Sequence, residues 1–113
     1  MQDLELRRKV CAIMGHTGIK GVSVYQNAER PIDFAPDENA NDALEVVKFW
    51  EGRNPNCIFG VEKSCDKWLA DFETKLPAMH KDWRRANAFS ESLPIAICQA
   101  FLKWNGVLKN EWD

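Results

Sequence analysis

Residues Ala86–Trp104 read ANAFSESLPIAICQAFLKW, and two periodicities meet inside this stretch. Ala86 and Ala88 alternate with other residues at the period of a strand, whereas from Leu93 onward the apolar residues recur every three to four positions, as on a helix. Ile97, Phe101, Trp104 and Leu108 fall on one stripe, and Ile95, Cys98 and Leu102 broaden it. Ser90 or Ser92 can cap this helix. Ser92 is the better placed, because it sets Pro94 in the first turn, where the amide that proline lacks would have no intrahelical partner. A helix apolar over much of its circumference belongs at the centre of a domain. Cys98, on the buried stripe, is a core residue.

Working outward, Cys57–Glu62 and Lys67–Glu73 are rich in β-branched and aromatic residues and predict an antiparallel hairpin turning at Lys63–Asp66. Cys57, Phe59 and Val61 share one face with Trp68, Ala70 and Phe72 of the partner strand, the pattern of a sheet with one buried side. Upstream, DENANDALEVVKFWEG predicts a helix capped by Asp37 or Asn39 and ended by Gly52, with Ala43, Val46, Val47 and Trp50 on its apolar face. Asp3–Met14 predicts an amphipathic helix in which Leu6, Val10, Ile13 and Met14 face inward, Arg7, Arg8 and Lys9 face solvent, and Gly15 is the stop. Val22–Gln26 predicts a short strand, followed by turn residues over Asn27–Pro31. The fold class is α+β: a small antiparallel sheet of about three to four strands packed with three helices, as a single domain over 1–113 with a mobile tail over about 107–113 that carries Trp112.

Composition bounds the function. A chain of 113 residues fits one core. Hydrophobic residues at 45% and charged residues at 28% are the mix of a soluble domain, no apolar run approaches the roughly 20 residues of a membrane span, and the charged amino terminus does not read as an export signal. Fifteen basic against seventeen acidic residues give a net charge of -2, no field to gather a polyanion, so nucleic-acid binding would need a local patch. Four scattered cysteines read as free thiols of a reducing compartment. Five tryptophans in 113 residues are a high load, which points to large rings filling a core made from few elements, to one or two of them in a binding surface, or to a homodimer.

Chemistry finds little footing. The glycines of GHTGIKG follow a predicted helix and precede a predicted strand, the reverse of a phosphate loop, and His16 among them has no partner nearby in sequence. Cys57 and Cys65 lie near opposite ends of the hairpin, so no metal site and no cofactor are expected. A catalytic pair of Cys57 or Cys65 with His80 is the best enzyme reading, and no informative spacing supports it. HKDWRRANAF gathers the basic and aromatic residues His80, Lys81, Trp83, Arg84 and Arg85. On a strand, Trp83 and Arg85 point one way and Arg84, Ala86 and Ala88 the other, so the cluster divides between two faces. His80, Trp83, Arg84 and Arg85 are the partner-binding candidates, with a protein preferred as partner. Nucleic acid, reached through these residues and Lys75, is the alternative.

The run LPIAICQAFL after the alternating Ala86, Ala88 and Ser90 resembles the phage ABA sandwich domain, a family of small bacteriophage and prophage proteins whose last helix opens with a Pro-Leu-Ala-Ile-Cys-Arg-Ala-like sequence. The segment ALEVV at Ala43–Val47, with Asp37 and Asn39 before it, resembles that family's AWEVV helix and its lead-in, and the order of elements over residues 2–105 agrees. Gln99 stands where the family usually has a basic residue, and Thr74–Asp82 is longer than its pattern. The resemblance implies a non-enzymatic phage accessory protein in the host bacterial cytoplasm, binding a host or phage macromolecule, with inhibition of a host defence as one such role. It carries over no catalytic residues.

Overall fold

The computed structural model describes residues 3–15 and 34–109. The strand expected at Val22–Gln26 with its following turn, together with His16 and Trp112, lies outside the described residues. The elements run α1 (Asp3–Met14), α2 (Ala40–Arg53), β1 (Cys57–Ser64), β2 (Lys67–Thr74), β3 (Arg85–Ser90) and α3 (Leu93–Trp104). The three strands form one antiparallel sheet in the order β1-β2-β3, and the fold is α+β.

The strand register follows from side-chain alternation. Phe59 pairs with Phe72 and Phe72 with Ala86, while Val61 pairs with Ala70 and Ala70 with Ala88, so the expected inward residues stand in two rows across the sheet, although Val61, on the edge strand β1, is 42% exposed and not buried. α3 packs on β2 and β3 over these rows, α2 covers β1 and α3, and α1 lies against α3 and α2 without meeting the sheet. Small residues make the closest approach possible: Ala86 and Ala88 on β3, and Ala96 and Ala100 one turn apart on α3, are all buried. Larger rings fill the other side. Trp50 of α2 lies 4.5 Å from Phe72 and 5.3 Å from Trp104 between ring centroids, and Phe59 lies 5.0 Å from Phe72. Trp50 is thus a core residue, not an exposed binding aromatic.

Local signals set the helix ends. The Asn39 side chain accepts from the amides of Asn41 and Asp42 to cap α2, and Ser92 accepts from the amide of Ile95 to cap α3. Asp37 is not a cap. Its carboxylate is buried and takes two bonds from Arg7, from Nε at 2.6 Å and from Nη2 at 3.2 Å. Arg7 therefore leaves the solvated face on which the run Arg7-Arg8-Lys9 places it, and ties α1 to the entry of α2. α2 also passes Gly52 by one residue and ends at Asn54, whose side-chain amide donates to the Trp50 carbonyl. β1 extends to Ser64, which shortens the hairpin turn to Cys65 and Asp66, with Cys65 held at φ 57 in the left-handed region. At the other end of the chain, the amides of Val107 and Leu108 donate to the Leu102 carbonyl and Leu108 packs on the core, so the expected tail begins as part of the domain.

Candidate functional site

The parity that buries one face of the sheet presents the other. Reading across β1, β2 and β3, that face carries the rows Ile58, Glu73, Arg85; then Gly60, Asp71, Asn87; then Glu62, Leu69, Phe89. Among the described residues no helix covers it. Ile58 is 53% exposed and Phe89 58% exposed, large apolar side chains at positions where strand alternation calls for polar ones.

The charges between these apolar corners are placed by the register. Arg85 Nε donates to Asp71 Oδ1 at 2.8 Å, a diagonal cross-strand pair, and this bond, helped by the Asp71 and Glu73 charges and opposed by loss of hydration, raises the guanidinium above its ordinary range. Trp83 donates its indole N–H to Glu73 Oε2 at 3.2 Å, lying half-buried at the end of the same face. Beside Gly60 the face dips into an open depression of about 160 Å³ lined by Gly60, Val61, Glu62, Leu69, Asp71 and Arg85.

The four residues expected to bind a partner are not one patch. Trp83 and Arg85 share the open face, as the alternation predicts. Arg84 turns to the helix side, where Nη2 donates to the Trp104 carbonyl at 2.6 Å and the guanidinium lies 4.2 Å from the Trp104 ring centre. There it closes the carboxyl end of α3, where a cation is favoured by the helix dipole. His80 is exposed in the loop between β2 and β3, its Nδ1 accepting from the Asp82 amide at 3.0 Å. In the same loop Met79 is 98% exposed.

Among the described residues, the cysteines and His80 are not brought together. Cys11 and Cys98 are buried, and loss of hydration pushes the Cys11 thiol up to about 12 and Cys98 further from ionisation. Burial raises Cys57 as well, against a smaller opposing effect from Arg84 and Lys75. Cys65, in the hairpin turn, stands about 26 Å along the strand from Cys57. His80 bonds within its own loop, and no group of His, Cys, Asp or Glu among the described residues could hold a metal ion. The depression falls below the roughly 300–1,000 Å³ of small-molecule sites.

Ile58, Gly60, Glu62, Leu69, Asp71, Phe89 and Met79 are the surface residues that the basic-aromatic cluster did not point to. For those on the hairpin the signal lay in the complementary parity of its two strands, where Ile58 and Leu69 break the expected polar alternation. No protein-family model, curated protein or solved structure matches the chain. No helix among the described residues is long and apolar enough to cross a membrane.

Proposed function

We propose that this chain is a phage- or prophage-encoded accessory protein that works without catalysis in the host bacterial cytoplasm, binding a host or phage protein through the helix-free face of its sheet. Blunting a host defence is the role this reading anticipates. The observation that carries the binding reading is the pair of half-exposed apolar side chains, Ile58 and Phe89, on a sheet face that no described helix covers. The phage origin rests on the resemblance of LPIAICQAFL and ALEVV. A protein is preferred over nucleic acid because Glu62, Asp71 and Glu73 stand on this face against Arg85, and Arg84 is turned away to Trp104.

The test is photo-cross-linking in a bacterial lysate with p-benzoylphenylalanine at position 89, and at Leu44 on the outer face of α2 as the control. The expected result is a protein adduct at position 89 that resists nuclease and is missing at position 44. Absence of an adduct, equal adducts at both positions, a nuclease-sensitive adduct, or adducts of the chain with itself alone would each overturn the proposal.

A further inference from the structure

Gly60 occupies the middle of β1, and the fold gives no reason for a glycine there. Among the described residues the glycines in the left-handed region are Gly15 and Gly106, and a Cβ built at Gly60 would meet nothing within 4 Å. Glycine inside a strand loses more conformational freedom on folding than any other residue and offers no side chain for cross-strand packing, a loss of about 0.5–1 kcal/mol relative to alanine. Among the described residues, neither backbone conformation nor internal packing offsets that loss. A glycine so placed is explained by the close approach of a group from outside.

The depression that Gly60 leaves is about 160 Å³, the scale of one long side chain and below that of a nucleotide or cofactor. Gly60, Val61 and Leu69 give it its apolar lining, and Glu62, Asp71 and Arg85 its polar lining. Arg85 is engaged with Asp71 at 2.8 Å, and Glu62 across the depression makes no ion pair among the described residues. Two carboxylates against one guanidinium leave the polar lining one negative charge in excess.

We infer that the Gly60 depression is an anchor site for one basic side chain, arginine or lysine, of the protein partner. This rests on the reading of the open face as a protein-binding surface. The aliphatic stem lies along Gly60 and Leu69, and the cationic head meets Glu62 and the outer side of Asp71, the division of a long basic side chain into apolar stem and charged tip.

The test uses the isotope-labelled full chain and amide NMR, titrated separately with N-acetyl-arginine amide, N-acetyl-lysine amide and the uncharged N-acetyl-citrulline amide. Saturable shifts at Gly60, Glu62 and Asp71 are expected with a basic probe at millimolar concentrations, and none with citrulline. Glu62→Gln weakens the response about two- to fivefold, the scale of an exposed ion pair. Gly60→Val fills the depression and abolishes the response while the unfolding midpoint stays level or rises. Gly60→Ala, which adds only the Cβ, gives an intermediate loss. Failure of both basic probes, or an equal response to citrulline, overturns the anchor. If the probes fail while cross-links at position 89 persist, the anchor falls and the binding face stands. Loss of those cross-links with the arginine response intact overturns the binding face instead.

Discussion

Replacing Arg7 by leucine is the sharpest test of how the amino-terminal helix is held. The Asp37 side chain is 0% exposed and that of Arg7 6%, and among the described residues both Asp37 oxygens are bonded by Arg7, at 2.6 and 3.2 Å. Arg7 also reaches Glu38 at 3.3 Å, but Glu38 is 66% exposed and that contact contributes little. Arg7→Leu strands a buried carboxylate at a cost of about 3–5 kcal/mol, a fifth or more of the roughly 5–15 kcal/mol that holds a typical domain. For a chain of 113 residues the melting temperature falls by about 10–25 °C. Arg7→Leu with Asp37→Leu removes both charges and returns stability to within about 2 kcal/mol of the parent, since a buried pair is costly to break and cheap to replace whole. Urea unfolding followed by tryptophan fluorescence, with Trp50 and Trp104 as buried reporters, measures both variants, provided the slope against urea is unchanged. The bond to Asp37 pushes the guanidinium above its already high ordinary value, so its contribution is full at every pH below that ordinary value, and the loss is the same at pH 6 and pH 9. A cost below about 1 kcal/mol for Arg7→Leu, or a double variant no better than the single one, would refute the argument.

Two further outcomes follow from the packing. Ala88 is 3% exposed where β3 meets α3, and Ala88→Leu is expected to destabilise by about 1–3 kcal/mol in the same urea assay, whereas Phe89→Thr, one residue on and facing outward, changes stability by less than about 1 kcal/mol. Burial raises the Cys11 thiol from 9.0 to about 12 and raises Cys98 too, so stability is full below about pH 9 and falls as pH rises towards 12, by about 1.4 kcal/mol per pH unit for each thiol; Cys11→Ala and Cys98→Ala should each flatten the fall, and an unchanged slope would count against it.

What could be read from the sequence was whatever rests on local periodicity. α3 was legible because Ser92, Pro94 and the stripe through Ile97, Phe101 and Trp104 agree on one helix, and the hairpin because Phe59 and Phe72 share a parity that fixes the register. Arg7 was not, because its partner is 30 residues away and a run of three basic residues on a short helix carries the pattern of a solvated face. The parity of Arg84 and Arg85 was legible in the same local way, but their partners were not: the Trp104 carbonyl is 20 residues on and Asp71 is 14 residues back. The face itself was half visible. Its buried side fixed the parity, and the outward Ile58, Leu69 and Phe89 were the residues in conflict with it.

That parity also makes stability and binding separable by substitution. β3 opens at two adjacent arginines whose side chains serve opposite sides of the sheet, so removing the basic cluster as a unit would confound two effects. Arg84 closes α3 against the strand by its bond to the Trp104 carbonyl, aided by Lys103, which donates to the Asn87 carbonyl at 2.9 Å. Losing Arg84 therefore loosens the core. Arg85 instead sits over Asp71 on the open face, beside the depression, where a change alters charge with little effect on the buried rows. A variant set chosen by strand parity, changing Gly60, Glu62, Asp71 and Phe89 while keeping Phe59, Ala70, Phe72 and Ala86, alters the surface on the layer that holds the fold least. If binding resides on that face, these changes abolish it in a protein that still unfolds cooperatively.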